Sequence, residues 1–190
     1  MGHLVAERLG FRYVDEEIIA RAAAKGGISP GDVADEERRK SVLTRLLQEI
    51  GRGAAVESYG LAGPGGLPAE DVPPDMIRSL ISEAIEETAG QGDVVIVAHA
   101  ASRALSGQLE VLRVLVTASP EKRAQRLSES RGIEPKEAGR SIKEADAARA
   151  DYLRRFYGVA AELPTDYDLV VNTDVLSIEQ VAELVALAAR

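Results

Sequence analysis

Between Glu121 and Arg155 the chain carries Lys122, Arg123, Arg126, Arg131, Lys136, Arg140, Lys143, Arg149, Arg154 and Arg155, ten of its 23 basic residues. A guanidinium keeps its charge on burial, and its planar fork meets two oxygens of a phosphate at once. Cations held this way neutralise the charge on a phosphoryl group in transit, so the pattern suits phosphate binding or phosphoryl transfer. Arg123, Arg126 and Arg131 fall on or just past one expected helix. Asp146 and Arg149 stand three residues apart and can pair on one face of the next. Glu129, Glu134, Glu137 and Glu144 are interleaved with the cations. A solvated, salt-bridged helix pair is therefore an equal reading of the same pattern.

Other candidates follow the apolar runs of the chain. Asp15 comes after the first, in position to cap the next helix and to serve a ligand as well. His99 comes after the second, where a histidine is more often packed and hydrogen-bonded than reactive. Ser119-Pro120-Glu121 comes after the third and has the makings of a plain helix start: a capping hydroxyl, proline in the first turn and an acid at the positive end of the dipole. Asn172-Thr173-Asp174 comes after the fourth. His3 and His99 are the only histidines and there is no cysteine, so disulfides and thiolate metal sites are excluded and a zinc site is not expected. Ser58, Ser102 and Ser106 have no nucleophile-elbow context. The Gly63-Pro64-Gly65-Gly66 tract follows no strand and precedes no lysine, which makes it a poor phosphate loop.

These residues need a scaffold. Val94–Ala98, Leu112–Thr117 and Leu169–Val171 are continuous apolar runs of strand length, as in parallel strands buried on both faces. Phe11–Val14 is a shorter one. Helical periodicity covers the N-terminus up to Gly10, then Glu16–Lys25, Asp35–Ile50, the stretch from Asp75 to Gly90, Pro120–Ser130, Pro135–Tyr157 and Ser177–Ala189. Alternation of this kind predicts an α/β fold with a parallel sheet and helices on both faces, whose ligands bind at the carboxyl ends of the strands. Gly51–Pro74 is rich in Gly and Pro and reads as a long surface excursion.

Composition sets the outer bounds. With 190 residues and 45% hydrophobic content the chain can build one domain with a sizeable core, and with only 4% aromatics that core must be aliphatic. A net charge of −8 argues against non-specific nucleic-acid binding. No apolar run approaches the roughly 18 residues of a membrane span, and the first residues do not resemble a signal peptide. A cytoplasmic location is the expectation.

Three segments together resemble the cytidylate kinase-like family of P-loop kinases. They are GHLVAERLGFRYVDEEIIA at the N-terminus, GDVVIVAHAASRAL from Gly92, and a third running from RVLVTASPEKRAQRL through EADAARADYLRRFYG to YDLVVNTDVLSIEQ. The resemblance implies a three-layer P-loop kinase-like parallel sheet with flanking helices and a helical lid, in a single domain over 1–190. Residues 26–90 would form the acceptor-binding excursion and 121–157 the lid region. It implies transfer of the ATP γ-phosphoryl group to a nucleoside monophosphate, CMP or dCMP first, with Mg2+. Arg123, Arg126 and Arg131 would close on the ATP phosphates. Asp146 and Arg149 would match a D-x-x-R pair, with Arg149 on phosphate. Asp15, Arg21, His99 and Arg103 would lie toward the acceptor. Gly2, aligned with the last glycine of the phosphate loop, and Thr173 and Asp174, near the adenine, would serve ATP.

Two departures from the family pattern bear on activity. The segment after the second strand, usually G-R-G-A, is Ala98-His99-Ala100-Ala101 here. His99 replaces an arginine, and a neutral imidazole does not reproduce a guanidinium fork; Arg103 is placed to compensate in part. The family's first, central strand and glycine loop fall before Met1-Gly2. The expectation is that strands near 94–98 and 112–117 flank that position with open edges, that these 190 residues alone bind ATP poorly, and that a homodimer can form at the open edges. A non-catalytic nucleotide-binding or regulatory relative, and a small-molecule kinase with a non-nucleotide acceptor, are the alternative functions.

Overall fold

Two parallel strand pairs organise the chain in the computed structural model, which describes residues 1–38, 73–97 and 100–190. Strand β1 (Arg12–Val14) pairs with β2 (Val94–Ile96), with Tyr13 opposite Val95. Strand β3 (Val114–Thr117) pairs with β4 (Leu169–Asn172), with Thr117 opposite Asn172. These are separate two-stranded sheets rather than one continuous sheet. Among the described residues each strand therefore keeps one edge without a ladder partner. The α/β class with parallel strands is as the sequence reads.

Helices link and cover the strands: α1 (Gly2–Leu9), α2 (Glu17–Gly26), α3 (Pro30–Arg38), α4 (Pro74–Gly90), α5 (Ala101–Ala104), α6 (Pro120–Arg131), α7 (Pro135–Tyr157) and α8 (Ile178–Ala188). Their ends follow local chemistry. Gly10, Gly132 and Gly158 adopt left-handed backbone just past α1, α6 and α7, where a side chain would be strained. Ser119 and Ser177 accept N–H bonds from Lys122 and Gln180 and cap α6 and α8. Gln180 completes a capping box by accepting the Ser177 N–H. Helix α3 begins at Pro30, ahead of the expected Asp35, because Ser29 Oγ accepts the Asp32 N–H and Pro30 presets the first turn. The rest of the expected Asp35–Ile50 helix and the Gly51–Val72 part of the excursion, with its Gly63–Gly66 tract, lie outside the described residues.

The core is aliphatic, as the composition requires. Ile18, Ala22 and Ala23 of α2 meet Ile77, Ile81, Ala84 and Ile85 of α4 beneath Val14 of β1, all buried. A second cluster joins Val5 of α1 to Val171 of β4 and to Val181, Ala182 and Val185 of α8, and reaches Val95 of β2 and Val114 of β3. Thus α1 touches both strand pairs. By contrast α6 buries no residue, and α7 buries Ala138 and then only positions in its last two turns, including Tyr152, Leu153 and Phe156. Packed side by side, α6 and α7 form an arm fixed at one end. Among the described residues no helix is long and apolar enough to cross a membrane.

Ile81 is 1% exposed and Leu184 is 44% exposed. Ile81→Ala should cost about 2–5 kcal/mol in urea denaturation through lost burial and a residual cavity, whereas Leu184→Ala should stay within about 0.5 kcal/mol of wild type.

Candidate functional site

The carboxyl ends of β3 and β4 make a polar seam. Thr117 presents its carbonyl to both the N–H and the hydroxyl of Thr173, at 2.8 and 3.0 Å. Arg126 reaches down from α6 with its fork astride Thr173: Nη1 donates to the hydroxyl at 2.8 Å and Nη2 to the carbonyl. Asp174 accepts the Ser119 N–H at 2.7 Å, and its own N–H is held by Asn172 Oδ1 at 2.8 Å. The structure brings Arg126, Thr173 and Asp174 together, with Ser119 added to them. In this conformation their polar groups are engaged with one another, and Arg126 acts as a rivet between α6 and β4.

At the end of β1, Tyr13 gathers another group. Its hydroxyl donates to Asp15 at 3.1 Å, and His3 stacks on its ring at 3.6 Å between centroids. Burial first, then the Asp15 bond, raises the Tyr13 pKa. Gly2 lies against this ring: a Cβ there would stand 2.7 Å from Tyr13 and 2.8 Å from Val97, closer than any side chain tolerates. Gly2 and Asp15 therefore meet around one aromatic ring. Asp15 is not the side-chain cap of α2. Glu16 holds the cap position without a side-chain bond, because the Asp15 carboxylate turns back to the residue two before it on the same face of the strand. Arg21 lies further along α2, bound to Glu17 at 2.6 and 2.9 Å. His99 lies outside the described residues.

The arm carries the third group. Arg123 pairs with Asp146 across the α6–α7 seam, with both nitrogen–oxygen contacts at 2.8 Å. Arg149 grips Glu162 with Nε and Nη2 at 2.6 and 2.8 Å. The expected Asp146–Arg149 pairing within α7 is thus corrected. Each residue finds a two-point partner on a neighbouring segment, and a fork contact outcompetes a single i,i+3 approach. Tyr167 donates to Glu162, and Arg103 of α5 pairs with Asp166, which also accepts the Leu163 N–H at 2.8 Å. Among the described residues Arg103 Nε is buried with no partner. Burial acts to raise the Glu162 pKa, but the Arg149 and Tyr167 bonds outweigh it, so its carboxyl sits below the ordinary range. Burial and the Glu162 bond raise the Tyr167 pKa. A cavity of about 220 Å³ opens here, lined by Asp146, Arg149, Ala150, Leu153, Ala160, Ala161 and Glu162. Arg131 stands exposed in the last turn of α6, away from these pairs.

Sequence reasoning singled out the cations and missed Glu162, Asp166 and Tyr167, the groups that hold them. The available signal was the acidic stretch Glu162–Asp168 following directly on the basic helix. Among the described residues no three His, Cys, Asp or Glu side chains form a cluster able to hold a metal ion.

Comparisons with known proteins narrow what this α/β scaffold, with Arg149 at its cavity, can be. The sequence model of the cytidylate kinase-like family matches residues 1–175, and the chain belongs to that family. A cytidylate kinase of Rhodococcus jostii is 26% identical, over 95% of this chain and 84% of its own length. One of Ignicoccus hospitalis is 32% identical, over 55% of this chain and 60% of its own. An uncharacterized protein from Eubacterium ventriosum superposes with a TM-score of 0.61 at 14% identity, covering 98% of this chain and 90% of that one, a likeness of fold.

Two outcomes test these contacts. Arg126→Ala should destabilise the chain by about 1.5–3 kcal/mol, the range for hydrogen bonds to a charged donor, and Arg126→Lys should recover only part of this in urea denaturation, since an ammonium cannot span both Thr173 oxygens. Asp168 accepts three hydrogen bonds from Arg113, at 2.8, 3.0 and 2.8 Å. The Arg113 side chain first, then its backbone N–H, pulls the Asp168 pKa down to about 2. A depressed folded-state pKa contributes stability above the unfolded value of about 4, and this is lost as pH falls toward the folded value. Wild type should lose stability between pH about 4 and 2; Asp168→Asn should flatten that limb in pH-dependent melting.

Proposed function

We propose that the protein as its gene encodes it phosphorylates a nucleoside monophosphate from ATP, with CMP and dCMP as the first acceptors. Supporting this is the cavity lined by the Arg149–Glu162 pair and by Asp146, the partner of Arg123, in a chain whose family is named for cytidylate kinase. In this reading the α6–α7 arm is the lid. Arg123, Arg149 and the exposed Arg131 neutralise the donor phosphates, and Arg126 sets the base of the arm beside the adenine-facing residues Thr173 and Asp174. Asp15, Arg21 and Arg103 face the acceptor. Gly2, which admits no side chain, brings the start of α1 close to Tyr13 and Asp15. Mg2+ would be held chiefly through the nucleotide rather than by a dedicated protein cage. When bound, it would supply positive charge that offsets the charge of the phosphates. A cytoplasmic location fits nucleotide substrates.

The test is ADP release in a coupled assay, using the protein as its gene encodes it, across CMP, dCMP, UMP and small hydroxyl acceptors. Turnover with CMP or dCMP is expected, and Arg149→Ala should lower kcat by about 10²-fold or more, as for loss of a group that stabilises developing charge. ADP release with none of the nucleoside monophosphates would defeat the proposal.

A further inference from the structure

The Glu162–Asp166 turn places one carboxylate on Arg149, which the nucleotide reading assigns to the donor phosphates, and another on Arg103, which it places toward the acceptor. Glu162 fills the fork of Arg149 at two points, and Asp166 takes Arg103. A carboxylate and a phosphate present the same pair of oxygens to a guanidinium, so only one can hold each arginine at a time. We propose that this turn is an internal latch, an anion built into the chain that occupies Arg149 and Arg103 in the free protein and is displaced by the phosphates of a bound nucleotide. This rests on the kinase reading for the identity of the ligand, and on the structure for the contacts.

Three observations favour displacement over a fixed brace. From Gly158 to Asp168 no residue is buried, and Leu163 is 55% exposed. The turn is therefore held by its polar contacts, and segments of this kind open at low cost. Arg149, in contrast, stands on α7 one turn before the buried Leu153 and Phe156, so its backbone stays fixed when the turn leaves. Finally, among the described residues Arg103 Nε is buried and unbonded in the latched state. A buried donor without a partner is costly, and an incoming anion with more oxygens than Asp166 offers would satisfy it. The latched state thus carries a deficit that phosphate removes, which is the differential interaction a ligand needs to shift a conformational equilibrium.

The probe is inorganic triphosphate, at constant ionic strength and without acceptor. Hydrogen exchange of the 159–168 amides in the unaltered chain should speed up on saturation with triphosphate. Glu162→Gln should bind triphosphate about tenfold more tightly than wild type, within the range usual for coupled sites. Asp166→Asn should shift affinity the same way and serves where Glu162→Gln folds poorly. Unchanged exchange at saturation, equal or weaker binding by the variants, or no triphosphate binding at millimolar concentration would each overturn the latch. Should binding tighten in the variants while no nucleoside monophosphate is phosphorylated, the latch stands and the kinase reading falls. Turnover with unaltered affinity and exchange removes the latch alone.

Discussion

Since β1–β2 and β3–β4 share no hydrogen-bond ladder, their relative placement depends on side chains. The seam formed by Val5 of α1 with Val171, Val181 and Val185, extended to Val95 and Val114, supplies it. It is a small seam of medium-sized aliphatic groups, so close approach matters more than area. Gly2 lets the helix start directly against Tyr13 and Val97. A second tie crosses further out, where Arg78 of α4 donates to the Phe156 carbonyl at 2.7 Å and joins the β1–β2 half to the base of the arm. Everything at the candidate site depends on these ties, because Arg103 comes from the segment after β2 and its partner Asp166 from the segment before β4.

The arginines divide by what they hold. Arg126 and Arg113 hold the β3–β4 half to itself, through Thr173 and Asp168. Arg154 and Arg155 share Asp151 within α7, at 3.0 and 2.9 Å. Arg123, Arg149 and Arg103 instead tie α6 to α7, α7 to the turn before β4, and α5 to that turn, each through a carboxylate. The two readings open from the sequence, a salt-bridged helix pair and a phosphate-binding cluster, therefore describe the same side chains with different anions. A cation already folded around a carboxylate is preorganised for phosphate.

Local features were legible and tertiary pairings were not. Pro135–Tyr157 has the same bounds in sequence and structure, because Pro135 opens the helix and Gly158 stops it. Ser119 was readable as a cap, but the contact of its N–H with Asp174 depends on β3 and β4 being neighbours. Asp146 and Arg149 lie close enough in α7 to pair, yet their choice of Arg123 and Glu162 depends on α6 lying alongside and on the turn returning toward β4. The sequence shows which residues can reach one another along an element. It does not show which anion arrives from elsewhere with better geometry. Asp15 illustrates the reverse case, where the partner Tyr13 was two residues away and the strand's alternation would have revealed it.

The arm has a mechanical consequence. With α6 burying nothing but riveted by Arg126 to Thr173, and α7 anchored near its last two turns, the pair is a lever pinned at its base. A helix of 23 residues is about 35 Å long, so a rotation of about 10° at its base carries the far end by about 6 Å. Arg131 rides near that far end, whereas Arg149 sits near the pivot and barely travels. One small rotation thus sweeps an outer cation across a wide arc while leaving the inner one in register with its ligand.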